Sequence, residues 1–431
     1  MPAPAFPRLG RAGVVLVLLF LYQTLNFFDK LVFGLSAVPM MQELHITPRQ
    51  FGLIGSLFFL LFSASGTLVG LLLIGRVRTR WILVSLALIW SVSQLPVLLT
   101  GSVAVLAGCR ILLGIGEGPG LPTALHACYD WFPQARRSVP SAVILQGISA
   151  GFLIGSPVLT FVIVRFGWRA GFFVCAMLGL LWVLAWLGLG GDGPYAATAA
   201  PAGGAGGSDG GFVPGRVLWR DRTVLGVTVM SFMSYYVVGM TATWLPPYLQ
   251  LGLGYPPVAA GWIISAIFAF QSPLLLAGSW LCQTMQRRGW SGRSALGHAS
   301  TAALLAAGLA LAATPHAAGV LRLGLIAIGF AAPSLTTVYG PVILGSIAPP
   351  AQRGRLIVVI YSANALAGLV STYATGWIVD AVPASRPAGF AAAITLAGLV
   401  LIAGAIASLA MLFPDHTAAR FAQAGHGTQP R

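Results

Sequence analysis

Twelve apolar stretches, each long enough to cross a bilayer as a helix, follow one another along this 431-residue chain. They occupy residues 13–35, 51–74, 81–99, 102–126, 138–163, 167–189, 223–249, 258–282, 295–314, 319–345, 355–379 and 387–413. A helix needs about 20 residues to cross a hydrocarbon core, where only helices and closed barrels satisfy their own backbone polar groups. The pattern predicts an all-α membrane protein with twelve transmembrane helices.

The composition agrees with this fold class and argues against several soluble ones. Hydrophobic residues make up 57% of the chain and charged residues 8%, against roughly 25% charged in a soluble domain. The net charge of +15 does not indicate nucleic acid, because the basic residues separate the apolar stretches and line no single face. The four cysteines are widely spaced, and no nucleophile elbow, phosphate loop or Cys/His cluster is found. We therefore predict no enzyme activity, no metal and no cofactor.

The basic residues also predict the orientation in the membrane. Most of them fall in the loops on the side where the first apolar stretch begins, among them Arg76, Arg137, Arg222 and Arg353. Cytoplasmic loops carry the excess of Lys and Arg, so this side is predicted to be cytoplasmic. No small-residue cleavage site follows the first stretch, which is predicted to remain as a span. With an even number of spans, both termini are then cytoplasmic.

A Gly/Ala/Pro-rich segment between the sixth and seventh stretches divides the chain into two halves of six spans. Residues 190–211 have the composition of a flexible linker. Basic loops recur at matching places in the two halves, which is typical of parallel repeats that rock about a site at the midplane. The predicted organisation is an N-terminal bundle at 1–189, a cytoplasmic linker at 190–222, a C-terminal bundle at 223–414 and a cytoplasmic tail at 415–431.

Four charged side chains lie deep within the predicted spans: Asp29 and Lys30 in the first, Arg110 and Glu117 in the fourth. A charge near the bilayer centre costs about 2.5 to 3.5 kcal/mol on insertion scales, so it persists where it has a use. Arg110 and Glu117 project from nearly the same helix face, and depth estimates place Asp29 and Arg110 at one level. Adjacent helix residues point about 100° apart, so Lys30 is predicted to be available for a partner other than Asp29.

These charges have a functional and a structural interpretation. In the functional one, Lys30 and Arg110 attract an anionic ligand, while Asp29 and Glu117 bind and release protons. In the structural one, the four residues form ion pairs that hold the first and fourth spans together. We favour the functional interpretation, with Glu117 as its principal residue.

Uncharged residues give weaker signals. Asn26, Gln146 and Asn364 are candidate hydrogen-bond partners for a solute. Phe27 is a further candidate substrate-binding residue, and Tyr236 is a candidate lining residue from the second half. For each of them the alternative is packing between helices.

The residues around the charges resemble those of a known family. The segments Asn26-Phe27-Phe28-Asp29-Lys30, Arg110 to Glu117 and Trp131-Phe132-Pro133 are similar to those of the major facilitator superfamily. Within it, the similarity is to the anion:cation symporters, which import sugar acids and other organic anions into bacteria with protons. The resemblance implies proton-coupling roles for Asp29 and Glu117 and anion-binding roles for Lys30 and Arg110.

The chain also departs from that family. Lys30 stands where an arginine is usual, Phe27 lacks the hydroxyl of a tyrosine, and the loop at Gly75-Arg76-Val77-Arg78 lacks the usual Asp. A lysine supplies a compact charge in place of a fork that grips a carboxylate with two hydrogen bonds. These departures favour a smaller or more apolar carboxylate than a sugar acid.

The predicted function is proton-coupled import of an organic anion across the bacterial inner membrane by alternating access. The expected partners are a small organic anion, protons and membrane lipids, with no nucleic acid, and the protein is expected to work as a monomer. Two alternatives are a proton-coupled antiporter that exports a drug or metabolite and a transporter-like solute sensor.

Overall fold

The structure is a computed structural model that describes residues 10–74, 76–133, 136–196, 213–382 and 385–426. In these residues it contains twelve segments that are long and apolar enough to cross a membrane. Numbered as spans 1 to 12, they are Arg11–Leu35, Pro48–Leu72, Thr79–Leu98, Val103–Tyr129, Ser138–Phe166, Trp168–Leu189, Arg222–Thr243, Pro257–Arg287, Arg293–His316, Gly319–Ile347, Gln352–Ala381 and Arg386–Met411. The predicted all-α fold with twelve spans is confirmed.

Several spans are interrupted helices, and short helices lie between them. Span 4 consists of Val103–Glu117 and Gly120–Tyr129, span 10 of Gly319–Ala331 and Ser334–Ile347, and span 11 of Pro350–Asn364 and Leu366–Ala381. Helices also cover Ala37–Glu43, Gly215–Trp219 and Pro414–His426. A proline lies at the first two breaks, where its missing N–H removes a helix hydrogen bond. Pro122 and Pro341, by contrast, lie within helices.

The spans pack as two bundles of six that meet along a shared interface. Span 1 packs against spans 5 and 6, and span 7 packs against spans 11 and 12. The bundles meet where span 2 contacts span 11, span 5 contacts span 8 and span 1 contacts span 7. This arrangement is the pair of six-helix bundles predicted from the sequence.

Glycines bring span 4 unusually close to span 2. A methyl group at Gly114 would lie 2.3 Å from the carbonyl oxygen of Phe58, and one at Gly118 would lie 2.2 Å from that of Phe62. Only a residue without a side chain allows two helix backbones to approach this closely. The contact brings the part of span 4 that carries Glu117, one residue before the break, next to span 2.

The two bundles also touch, backbone to backbone, on the side of the membrane opposite the first residues of span 1, which we call the distal side. A methyl group at Gly34 of span 1 would lie 2.2 Å from the carbonyl oxygen of Ala242 in span 7. Gly52 of span 2 likewise meets Gly376 of span 11, with 3.2 Å between a methyl position and the facing Cα. These contacts close the interface on the distal side.

We expect Gly34→Ala to open this distal contact. Overpacking costs about 1 to 3 kcal/mol, and each 1.4 kcal/mol shifts an equilibrium about tenfold. A cysteine placed at Thr243, which is 1% exposed, should therefore react about tenfold faster or more with a membrane-impermeant thiol reagent added from the distal side. The four native cysteines are buried and give little background.

Gly108→Ala is the control for this experiment, because a methyl group there meets nothing within 4 Å. Equal labelling of Thr243→Cys in the Gly34→Ala, Gly108→Ala and otherwise native backgrounds would show that the distal contact does not limit opening.

Both ends of the predicted linker are held against the bundles. The Tyr195 N–H donates to the Asp130 carbonyl oxygen at 2.9 Å. In the second half, the Gln352 side chain accepts from the Val213 N–H at 3.1 Å and donates to its carbonyl oxygen at 2.8 Å. Residues 197–212 of the linker, Gly75 and residues 134–135 lie outside the described residues.

The helix Pro414–His426, within the segment predicted as a tail, is docked against the second bundle. Arg420 forms a salt bridge with the buried carboxylate of Asp221, which also accepts from Thr417 at 3.1 Å. Asp415 accepts from the backbone N–H groups of Gly292 and Arg293 at 3.0 and 3.2 Å.

Asp130, at the end of span 4, should make the stability of the fold depend on pH. Burial raises its pKa from 3.8 to about 6, Asp192 adds to the rise and Arg137 opposes it. The folded protein thus binds this proton more tightly than the unfolded chain does. The resulting stability is fully present below pH 3.8 and is lost as the pH rises through about 6.

We therefore expect Asp130→Asn to raise the thermal midpoint above pH 6 and to leave it unchanged below pH 3.8. Thermal unfolding in detergent over a pH series measures this difference. A shift of the same size at every pH would point to packing, and not to ionisation of the carboxyl group.

Candidate functional site

The Lys30 ammonium group is fully engaged inside the N-terminal bundle. It donates to the Asn26 side-chain oxygen at 2.5 Å and to the Asn26 carbonyl oxygen at 3.3 Å. It also forms a salt bridge with Oε2 of Glu117, and both side chains are buried. An ammonium group has three N–H donors, and these three acceptors use all of them.

Aromatic rings surround the same ammonium group. Nζ of Lys30 lies 4.6 Å from the ring centre of Phe27, 5.5 Å from that of Phe58 and 5.3 Å from that of Phe62. Ring faces attract cations, and the interaction strengthens where water is excluded. The rings form an apolar pocket in which the salt bridge with Glu117 is the main compensation for the buried charge.

Lys30 pairs with Glu117 of span 4 and not with its neighbour Asp29. A contact of this kind between the first and fourth spans is what the structural interpretation of the four charges describes. Glu117 is next to Gly118, where spans 2 and 4 approach closely. The sequence does not show how far apart two spans lie, so it could not predict which charged side chains meet. Removing one partner of a buried ion pair typically costs 3 to 5 kcal/mol.

Arg110 has no carboxylate partner among the described residues. Its guanidinium carbon lies 4.3 Å from the ring centre of Phe33 and 4.8 Å from that of Phe58. The side chain is 3% exposed, and its Nε and Nη1 atoms are buried without a hydrogen-bond acceptor. Arg110 is thus a desolvated cation, stacked on rings, with N–H groups that lack an acceptor.

Asp29 does not meet Arg110, although the depth estimate placed them at one level. One Asp29 oxygen accepts from the Gln94 side chain at 2.8 Å, and the Cys175 thiol lies close enough to interact with the carboxyl group. The other oxygen has no N–H or O–H donor. Asp29 therefore faces spans 3 and 6 inside the N-terminal bundle, while Lys30 faces span 4.

Two of the uncharged predicted site residues contact the charged cluster, and the other three form no recorded hydrogen bond with it in the described part of the chain. Asn26 and Phe27 contact Lys30. No hydrogen bond joins Gln146, Tyr236 or Asn364 to the four charged residues. Tyr236 and Asn364 are 5% and 1% exposed, and Nδ2 of Asn364 is buried without an acceptor.

Sequence reasoning missed the aromatic residues and Gln94. Phe58 and Phe62 are four residues apart in span 2 and so share one helix face, but phenylalanine in an apolar span looks the same whether it meets lipid or a cation. Gln94 was detectable as a buried amide at the end of span 3, where its side chain holds the Asp29 carboxyl group.

Two aromatic stacks lead from the site cations to the second bundle. Phe33, under Arg110, stacks on Phe51 with ring centres 4.4 Å apart, and Phe51 meets Trp244 of span 7 edge to face at 5.4 Å. In the second stack, the ring centre of Phe27, beside Lys30, lies 5.4 Å from that of Phe152. Aromatic pairs add about 0.5 to 1.5 kcal/mol beyond the area that they bury.

Phe152 of span 5 then stacks on Phe268 of span 8 with ring centres 3.9 Å apart and planes 5° from parallel. Each site cation thus lies on a ring whose neighbours reach the opposite bundle. Movement of one bundle against the other must rearrange these rings.

The second bundle contributes neutral groups to the membrane interior. The buried charged side chains within the described spans are Asp29, Lys30, Arg110 and Glu117, all in the first bundle. Among the described residues, no three His, Cys, Asp or Glu side chains are grouped so as to hold a metal ion.

A family profile for the Major Facilitator Superfamily matches residues 19–339. The chain belongs to this superfamily. The match begins within span 1, covers spans 2 to 9 and ends within span 10, and the predicted resemblance is confirmed.

Sequence similarity to individual transporters gives a more specific comparison than the superfamily match. The chain is 28% identical to the hexuronate transporter of Bacillus subtilis over 260 residues, which cover 59% of this chain and 61% of that protein. It is 27% identical to the probable sulfoacetate transporter SauU of Cupriavidus necator over 256 residues, 58% of this chain and 59% of that protein. Both proteins are named for organic anions, and the chain spans about three fifths of the length of each.

The fold matches solved structures over almost the whole chain. The nucleoside transporter NupG superimposes with a TM-score of 0.74 at 15% identity and covers 94% of this chain and 100% of that one. At this identity the similarity concerns the fold of this superfamily member and not its substrate.

Proposed function

We propose that this protein imports an organic anion, a carboxylate, together with protons by alternating access. The observation that carries the proposal is the buried Lys30–Glu117 ion pair next to Arg110, whose N–H groups have no acceptor. The similarity to proteins named for hexuronate and sulfoacetate transport supports an anionic substrate.

The charges of this cluster link the proton to the anion. A proton on Glu117 removes the negative charge and leaves Lys30 unpaired in apolar surroundings, where an isolated charge is costly. A substrate carboxylate that binds Lys30 and Arg110 restores the balance. Proton and anion therefore favour each other's binding, and coupling of this kind is reciprocal.

Individual site residues receive the following roles in the proposal. Glu117 carries the coupled proton, and Asp29 is a second proton-binding group held by Gln94. Arg110 and Lys30 bind the carboxylate, helped by the free amide N–H of Asn26 and the ring of Phe27. Gln146, Tyr236 and Asn364 contact the rest of the substrate when the bundles close around it.

The same proposal covers the moving parts and the location. The bundles at 1–189 and 223–414 rock about the site, the linker at 190–222 joins them, and the segment 415–431 stays on the terminal side. The excess of basic loops on that side supports a bacterial inner-membrane protein with both termini in the cytoplasm. A single chain holds the whole proposed site, which supports a functional monomer in contact with lipid and not with nucleic acid.

Uptake into proteoliposomes tests the proposal. Purified protein is reconstituted, an acidic exterior is imposed, and radiolabelled galacturonate, sulfoacetate and benzoate are added in turn. We expect at least one of them to accumulate against its gradient and a protonophore to abolish the accumulation. Absence of accumulation of all three, or movement only against an inward proton gradient, would overturn proton-coupled import.

A further inference from the structure

We infer that a hydrated polar track inside the N-terminal bundle joins the carboxyl groups of Asp29 and Glu117, so that protons travel between them apart from the anion. The track is defined by Asp29, Gln94, Ser91, Trp90, Tyr22 and Glu117. This inference rests on the proposed proton coupling and specifies the route of the proton.

Buried polar atoms without partners are concentrated along this track. Six of the eighteen such side-chain atoms in the described chain belong to it. They are Oδ2 of Asp29, Oε1 of Gln94, Oγ of Ser91, Nε1 of Trp90, the hydroxyl of Tyr22 and Oε1 of Glu117. Buried polar groups nearly always have a partner, so a row of unpartnered ones marks a place for bound water.

Helix geometry brings these atoms to one interior seam. Tyr22 and Asp29 are seven residues apart on span 1, which puts them on one face with a rise of about 10 Å between them. Ser91 and Gln94 share a face of span 3, because they are three residues apart. Both faces meet span 6, where Cys175 lies beside Asp29.

The end of the track at Glu117 is closed by aromatic contacts. The Tyr22 ring centre lies 4.7 Å from that of Trp90, and a methyl group at Gly120 would lie 3.2 Å from the Tyr22 hydroxyl. Gly120 is three residues after Glu117, so the hydroxyl lies within one helical turn of the carboxylate along span 4.

Gly179 of span 6 packs tightly against the middle of the track. A methyl group there would lie 2.1 Å from Oγ of Ser91 and 2.7 Å from Nε1 of Trp90. These two polar atoms therefore lie against the backbone of span 6, and any side chain at position 179 would displace them.

The chemistry of these groups suits proton passage in steps. The hydroxyls of Tyr22 and Ser91 each donate and accept, so each can take a proton from one water and give one to the next. Trp90 only donates and so orients water without relaying a proton. A proton that enters at one carboxyl group displaces another at the far carboxyl group, and no net charge remains on the track.

The Glu117 end and the Asp29 end of the track have different charged neighbours. Lys30 and Arg110 flank Glu117, while Asp29 has Gln94 and Cys175 beside it and Lys30 on the adjacent helix position. The anion is drawn to the cations on the span 4 side of Lys30. The proton route through Tyr22 and Ser91 follows a neighbouring face of span 1, about 100° around the helix from Lys30, so the two solutes meet only at Glu117.

Three substitutions test the track: Ser91→Ala and Tyr22→Phe remove a hydroxyl, and Gly179→Ala displaces the Ser91 hydroxyl and the Trp90 indole. Ser93→Ala and Gly108→Ala are matched controls, because the Ser93 hydroxyl is already bound to the Trp90 carbonyl oxygen at 2.7 Å and Gly108 has open space. The probe is whichever of galacturonate, sulfoacetate and benzoate the native protein accumulates fastest. Uptake driven by a pH gradient and exchange of internal for external anion are both measured in proteoliposomes.

We expect each track variant to lose about tenfold in gradient-driven uptake, a change of about 1.4 kcal/mol in the barrier. Exchange, which needs no net proton transfer, should stay within about twofold of the native rate, and this also shows that the variant is folded. If Gly179→Ala loses exchange as well, Ser91→Ala, which adds no volume, decides the outcome.

Native-like gradient-driven uptake in Ser91→Ala and Tyr22→Phe would overturn the track while leaving the proposed function intact. Failure of the native protein itself to accumulate any of the three anions would overturn both.

Discussion

Glu117→Gln should abolish the accumulation of an organic anion driven by a pH gradient and leave anion exchange intact. A glutamine has the shape of the protonated carboxyl group, so the variant behaves as if its proton were always bound. Lys30 then has no anionic partner in the protein, and equilibrium binding of the anion should become tighter and depend less on pH. Proteoliposome uptake, exchange and binding titrations at several pH values measure the three effects.

Glu43→Gln is the matched control, because Glu43 is the only other glutamate in the chain. It lies outside the spans, where hydrogen bonds from Trp168 at 2.7 Å and Arg169 at 2.6 Å lower its pKa. This variant should keep gradient-driven uptake. If Glu117→Gln retains full accumulation, Glu117 is a structural partner of Lys30 and does not couple protons.

The second large effect is expected from Arg110→Ala. Hydrogen bonds to charged groups contribute about 1.5 to 3 kcal/mol, so loss of the guanidinium should weaken anion binding by about 100-fold. Thermal stability should change little or rise, because the substitution removes a buried cation that has no carboxylate partner in the protein. Binding calorimetry with the transported anion and thermal unfolding measure these two effects.

Two further variants accompany Arg110→Ala: Arg110→Lys is the conservative substitution and Arg169→Ala is the control. Lysine keeps the charge but offers no planar fork and stacks poorly between Phe33 and Phe58, so it should restore only part of the affinity. Arg169, at the start of span 6, pairs with Glu43, which lies between spans 1 and 2, and loss of Arg169 should leave anion binding unchanged. Native affinity in Arg110→Ala would show that the unpartnered N–H groups do not face the substrate.

The fold was predictable because its strongest signal lies along the chain. Each span must be long and apolar to cross the hydrocarbon core, and the sequence displays that directly. The breaks in spans 4 and 10 were also marked by Pro119 and Pro333, although the sequence did not show whether they would bend a helix or interrupt it.

The candidate site was predictable as a set of residues and not as a set of contacts. The cost of burial identified Asp29, Lys30, Arg110 and Glu117, and the 100° step between adjacent residues separated Asp29 from Lys30. Which groups meet across helices depends on the distance between spans, and that distance is set by glycines such as Gly118 whose effect appears only in packing. For this reason the sequence allowed ion pairs between the first and fourth spans but did not identify Lys30 and Glu117 as the pair.

The Lys30–Glu117–Arg110 cluster also determines how the membrane voltage acts on transport. With Glu117 as the only proton carrier, the cluster has the same net charge when it is empty and when it holds one proton and one monoanion. The membrane voltage then drives neither the inward movement of the loaded site nor the return of the empty site. If Asp29 carries a second proton, one extra positive charge enters in each cycle, worth about 2.3 kcal/mol per 100 mV. Uptake at a fixed pH gradient and varied voltage therefore counts the protons that move with each anion.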